Sequence, residues 1–288
     1  MEVVHTKNSQ KLAESMAREL SLSVFPANFR YFNGQEAVVS LPKRFREVLV
    51  VASTATNEDW LELFLLLDAL RGTKNLILCM PHMGYSRQDV LNQNESFGAR
   101  LFCRLLETFS ISHCIILDNH CEPRLQIPYT HLNANRIFEE DMEKKYDPQL
   151  LAVVSPDVGG ARRAIAISRT LKCEFVLCHK TRNVFGELKK VEILGNVARK
   201  TCILVDDVVD SGATLCQAAE MLRTAGCGEI AAYVVHGVLS SGSLERLEKS
   251  CLTELVLTDS IHNESIRSNK IRKLSVASLM AEAIGCIL

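Results

Sequence analysis

Short apolar runs alternate with amphipathic stretches along nearly the whole chain, and this alternation limits the possible folds more than any other feature. The runs Val48–Ala52, Asn75–Met80, Cys114–Leu117, Leu151–Val154, Glu174–Cys178, Cys202–Val205 and Ile230–Val235 read as strands. Between them lie helix candidates at Asp59–Arg71, Phe97–Thr108, Ala161–Leu171 and Gly212–Thr224. In the last, Leu215, Ala218, Ala219 and Leu222 recur at helical spacing and Gly226 supplies a stop. Strands that are apolar throughout are buried on both faces, which predicts mainly parallel sheets covered by helices. This many strands in 288 residues fit two doubly wound α/β domains better than one.

The most polar region, Glu139–Gln149, is the natural boundary, because its charges and Pro148 separate two strand-rich halves. The expected domains are therefore 1–140 and 141–288. About the last 18 residues are expected to pack back on the first domain.

Charge and cysteine usage exclude several classes of function. With 33 Lys+Arg against 34 Asp+Glu the formal net charge is −1, unlike a protein that coats nucleic acid. The eleven cysteines are odd in number, scattered and never spaced CxxC. Several sit inside apolar runs, where a free thiol acts as a small hydrophobe; this reads as a reducing, cytoplasmic setting. The longest apolar stretch, Leu61–Leu70, is broken by Glu62 and Asp68 and is too short to span a bilayer. Neither a nucleic acid nor a membrane is an expected partner.

In open α/β sheets, ligands bind beyond the carboxyl ends of the strands. Those positions are strongly polar here: PHMGYSRQD after Met80, DNHCE after Leu117, SPDVGGARR after Val154, HKTRN after Cys178, and DDVVDSGAT after Val205. The last is the sharpest. Small residues let backbone N–H groups close around a phosphate at a helix N-terminus, with Ser211 and Thr214 as hydroxyl donors. Asp206 and Asp207 would repel that phosphate, so their role is to accept hydrogen bonds from hydroxyls or to hold Mg²⁺. A phosphorylated sugar supplies both groups.

This stretch resembles the phosphoribosyl pyrophosphate signature of the type I phosphoribosyltransferase fold. The order PHMGYSRQD, LDNHC, VVSPDVGGARR, HKTRN, GNVARKTCILVDD and TDSI…KLSVASLMAEAI is similar to that of the ribose-phosphate pyrophosphokinase (phosphoribosyl pyrophosphate synthetase) family, in its short form. The resemblance implies two domains of that fold and transfer of the β,γ-pyrophosphoryl group of ATP to O1 of ribose 5-phosphate, with Mg²⁺ as cofactor. It implies a ribose 5-phosphate site at Asp206, Asp207, Asp210, Ser211, Gly212, Ala213 and Thr214, and a pyrophosphate loop at Asp157, Val158, Gly159 and Gly160. Lys180 and Arg182 match the catalytic basic pair, at the root of a lid expected over Asn183–Gly195. Arg87, Gln88, Asp89 and His120 match ATP-binding positions, with His120 and Asp157 near the metal. Phe32 and Glu36 resemble an adenine-contacting pair contributed across a subunit interface, so a homo-oligomer is expected.

The chain departs from the family pattern in three places, all toward the ATP side. No cation lies between Asp89 and Arg100; CEPRLQ follows the DNH motif; and Phe32 and Glu36 are joined by NGQ. These departures motivate one alternative, a non-catalytic or regulatory synthetase-like subunit; a phosphoribosyltransferase is the other, set apart by having no need of the N-terminal half that carries RQD and DNH.

Overall fold

The computed structural model describes every residue except 34–35, 92–93, 183–187 and 263–265, and only the backbone of 180–182 and 188–191. The chain divides into two compact units. One comprises 1–133, 259–262 and 275–288; the other comprises 134–258 and 263–274. Its elements begin with β1 (Glu2–His5), α1 (Gln10–Leu20), β2 (Val24–Pro26), β3 (Asn28–Tyr31), β4 (Ala37–Ser40), β5 (Glu47–Val51), α2 (Asn57–Ala69), β6 (Asn75–Met80), α3 (Gly98–Leu106), β7 (His113–Leu117) and β8 (Tyr129–Leu132). They continue with α4 (Asn135–Lys145), β9 (Leu151–Ser155), α5 (Ala161–Leu171), β10 (Glu174–Arg182), β11 (Leu188–Leu194), β12 (Thr201–Val209), α6 (Ala213–Thr224) and β13 (Ile230–Gly237). The last are α7 (Ser243–Lys249), β14 (Glu254–Thr258), β15 (Ile271–Leu274) and α8 (Ala277–Gly285).

The first unit holds a sheet in the order β2-β1-β5-β6-β7-β8, parallel throughout. Its strands are apolar on both faces because both are covered. Val48, Val50, Leu78 and Met80 join Trp60, Leu63 and Leu67 of α2 and Cys103 and Leu106 of α3 in one cluster. The alternate residues face the other way: Cys79 meets Met280 of α8, sulfur to sulfur at 3.9 Å, and α1 packs along α8. A capping box starts α2, with Thr56 Oγ1 accepting from Asp59 N at 3.2 Å and Asp59 Oδ2 accepting from Thr56 N at 2.8 Å. Strands β3 and β4 form a separate antiparallel hairpin.

The second unit holds the order β11-β10-β9-β12-β13-β14-β15. It is parallel except for the antiparallel β10/β11 pair. One face carries Leu215, Ala218 and Leu222 of α6 and Leu247 of α7 against Val154, Cys202 and Leu204. On the other, Phe138 of α4 meets Tyr233 of β13 edge-on, with centroids 5.5 Å apart.

The polar stretch 139–149, read from sequence as a boundary, carries most of a helix. Phe138 and Met142, four residues apart, are the buried anchors of α4. Two such anchors hold a helix whose other positions are mostly polar and at least partly exposed, and this is why the stretch looks like a linker. Of the stretch read as a lid, 183–187 lies outside the described residues and 188–194 is strand β11. Among the described residues no helix is long and apolar enough to cross a membrane.

Candidate functional site

In the second unit, Asp206 and Asp207 stand inside β12, not after it. Asp206 is paired with Val234 of β13, and the pairing continues to Val209 with Gly237. This extension carries two carboxylates into a sheet interior. Burial pushes the Asp206 carboxyl up to about 8, and the Asp207 and Asp157 carboxylates add to the shift. Asp206 Oδ1 accepts from Asp207 N at 3.0 Å. The three acids therefore form a crowded acidic site toward the carboxyl side of neighbouring strands, since β9 and β12 run parallel with Val154 opposite Leu204.

The loop after β9 closes against this site. Asp157 Oδ1 accepts from Gly160 N at 3.1 Å, and Ser155 Oγ donates to Asp157 O at 2.6 Å. A Cβ on Gly160 would stand 3.0 Å from Ser155 Oγ and 3.8 Å from Asp206 Oδ1, so only glycine leaves that approach open. Val158 and Gly159 complete the turn into α5, with Ala161 N donating to Val158 O at 3.3 Å. Ser155, fully buried, was not singled out from the sequence. A hydroxyl ending a wholly apolar strand was its signal.

After β12, Asp210 and Ser211 lead to Gly212, the N-cap of α6, in the left-handed region at φ 73°. Ala213 N donates to Ser211 Oγ at 3.4 Å. The first turn of α6, with Ala213 and exposed Thr214, thus presents N–H groups beside small side chains, a ready anion site. Lys180 and Arg182 lie on β10, which borders β9. Opposite them on β11 are Val191 and Leu188, with a register irregularity between Thr181 and Arg182. Their side chains lie outside the described part.

In the first unit, the loop after β6 is fixed by packing. Thr54 N donates to His82 O at 2.9 Å and Gly84 N to Thr54 Oγ1 at 3.0 Å. A Cβ on Gly84 would fall 2.1 Å from Thr54 O, so no other residue fits. Tyr85 adopts φ 65°, a strained conformation for a bulky residue. Its ring stacks on Phe102 at 4.2 Å and its hydroxyl donates to Asn57 Oδ1 at 2.5 Å. Arg87, Gln88 and Asp89 follow and line an open cavity of about 580 Å³ with Val90, Glu95 and Ser96. Gln88 Oε1 lies against the start of α3, 2.6 Å from where a Cβ on Gly98 would be.

His120 follows β7, which pairs with β6 through Met80 and Ile116. Asp118 there has φ 41° and is buried, and Asn119 N donates to His131 Nε2 at 3.0 Å. The neighbouring Cys121 thiol is pushed up by burial and by the Asp89 carboxylate, so the two loops share one end of the sheet. Phe32 and Glu36 meet at the β3–β4 tip, Phe32 N donating to Glu36 O at 2.8 Å, and Phe32 is exposed. The hairpin is fastened by Tyr31, whose hydroxyl donates to Glu62 Oε1 at 2.5 Å. Lys7 Nζ, 3.3 Å from that carboxylate, lies 3.9 Å from the Tyr31 ring centre. Among the described residues, no group of three or more His, Cys, Asp or Glu side chains could by itself hold a metal ion.

Two α/β units with mainly parallel sheets, and in the second paired carboxylates beside a small-residue loop, define a protein of the type I phosphoribosyltransferase-like class. The family described as phosphoribosyl synthetase-associated domain matches residues 142–288. The N-terminal domain of ribose phosphate pyrophosphokinase matches residues 1–109. The ribose-phosphate pyrophosphokinase of Agrobacterium fabrum (strain C58) is 36% identical over 296 residues, covering 99% of this chain and 96% of the relative. That of Rhizobium meliloti (strain 1021) is 36% identical with the same coverage. The crystal structure of phosphoribosylpyrophosphate synthetase from Mycobacterium smegmatis superposes with a TM-score of 0.92 at 28% identity, covering 99% of this chain and 98% of that one. The chain belongs to the ribose-phosphate pyrophosphokinase family.

Proposed function

We propose that the chain is a working ribose-phosphate pyrophosphokinase, which transfers the β,γ-pyrophosphoryl group of ATP to O1 of ribose 5-phosphate and releases AMP. The observation that carries this reading is the crowding of Asp206 by Asp207 and Asp157 beside a small-residue loop opening α6. A phosphate monoester seats on that loop, through Asp210, Ser211, Gly212, Ala213 and Thr214. Asp206 and Asp207 accept hydrogen bonds from the ribose hydroxyls, which leaves O1 directed toward the Asp157–Gly160 loop.

Lys180 and Arg182 supply positive charge to the transferred group. Such transfer depends on positioning and electrostatic stabilisation more than on covalent help. Arg87, Gln88, Asp89 and His120 bind ATP, with Phe32 and Glu36 from another copy of a homo-oligomer. The donor set suits Mg²⁺, which keeps several waters and takes few protein ligands beside substrate phosphates; carboxylates repelling one another call for a cation. Asp157 in the second unit and His120 in the first are each a residue to help hold such a cation, which would neutralise charge on the ATP phosphates. A cytoplasmic setting accords with eleven free thiols.

The purified chain is expected to form AMP only when both ribose 5-phosphate and Mg-ATP are present. No AMP at saturating substrates across a nucleotide panel, with and without inorganic phosphate, would refute catalysis and favour a regulatory subunit. Base-dependent release of pyrophosphate from phosphoribosyl pyrophosphate would instead favour a phosphoribosyltransferase.

A further inference from the structure

We infer that Arg246, on α7, is a positioning residue for the ribose 5-phosphate loop; the inference rests on the sugar-phosphate reading of that loop given above. Its guanidinium donates to the backbone carbonyl of Ser211.

The geometry explains why a loop of this kind needs such a partner. The helix ladder of α6 begins at the Gly212 carbonyl, which accepts from Cys216 N at 3.0 Å. The Ser211 carbonyl lies one residue ahead of that ladder and has no place in it. A loop that aims N–H groups at a phosphate must turn this oxygen away, because a carbonyl facing the anion would repel it. Arg246 holds it through a charge-assisted hydrogen bond. The adjoining residues are held by the same connection. Ser240 N donates to Asp210 O at 3.2 Å, and a Cβ on Gly212 would stand 3.3 Å from Leu247 Cγ. Positions 210, 211 and 212 are thus seated in turn by 240, 246 and 247, with Gly212 at its positive φ setting the direction of the peptide between them.

Arg246 itself is exposed, so its replacement leaves the core packing intact. In the purified full-length chain, Arg246→Met is expected to raise the KM for ribose 5-phosphate about fivefold, the loss of one net hydrogen bond. The KM for ATP and kcat at saturation should stay within about twofold and the melting temperature unchanged. Arg246→Lys, which keeps a cationic donor without the planar fork, should fall between the two. A KM for ribose 5-phosphate unchanged in Arg246→Met, or one rising in step with the KM for ATP, would overturn the role. Calorimetric titration of wild-type chain with ribose 5-phosphate separates the two levels. Absence of binding there refutes the sugar-phosphate reading itself, whereas equal affinity in wild type and Arg246→Met refutes only the role of Arg246.

Discussion

The loops that follow β6 and β12 both end parallel strands, yet they are stabilised by different forces. Around β12 the side chains repel one another: Asp206, Asp207 and Asp157 crowd a half-buried place, and backbone hydrogen bonds and glycines keep the loops closed around it. Around β6 the chain is locked by fit: Gly84 abuts Thr54, and Tyr85 stacks on Phe102. A site built from unbalanced charge gains its stability when ligand and cation arrive. A site built from packing has its shape beforehand, and its exposed rim can change without disturbing the shape. Part of the departure from the family pattern at 90–99 falls on such a rim, where Val90 and Leu91 are exposed, while Phe97 and Ala99 of the same stretch are buried.

The largest effect that could break this contrast is at Lys180. If charge around the transferring group governs rate, Lys180→Ala should lower kcat by about 10²–10³ and leave calorimetric affinity for ribose 5-phosphate unchanged. Equal losses of affinity and turnover would move Lys180 from transition-state stabilisation to sugar binding. Asp207→Ala should act the other way. It removes an acceptor for a sugar hydroxyl, so the KM for ribose 5-phosphate should rise about tenfold with the KM for ATP nearly constant. A rise confined to ATP would assign that carboxylate to the nucleotide side.

The contrast also explains what could be read from the sequence. Parallel strands buried on both faces leave uninterrupted apolar runs, so Asn75–Met80 is found with the same limits in sequence and structure, and Ala161–Leu171 likewise. The acids at 206 and 207 were legible as chemistry but not as strand, because charge masks the continuation of β12 to Val209. Helix α4 was hidden for a similar reason: two buried anchors, Phe138 and Met142, stand among nine other residues of mostly polar type. Edge strands β8 and β15 and the β3–β4 hairpin lack a fully buried run, so no apolar stretch marked them. The fastening of Tyr31 to Glu62 and of Arg246 to Ser211 joins residues 31 and 35 positions apart, and no local pattern reports contacts at that range.

The smallest effect tests the charge side of the comparison in stability. The Asp206 carboxyl is raised from an ordinary 3.8 to about 8, so between those values the folded chain binds a proton that the unfolded chain has released. Its contribution is fully present below the unfolded value and is lost as pH rises through about 8, which makes the ligand-free protein less stable toward alkaline pH. Asp206→Asn removes the ionisation and keeps the shape. Its melting temperature should exceed that of the wild type near pH 8, with the gap narrowing as pH falls toward 4. Divalent cation should narrow the gap as well, by offsetting the crowded charge in the wild type. A gap that stays constant from acid to alkaline pH would mean that the two carboxylates share their burden by hydrogen bonding alone, and the loop after β12 would then be held by fit, as the loop after β6 is.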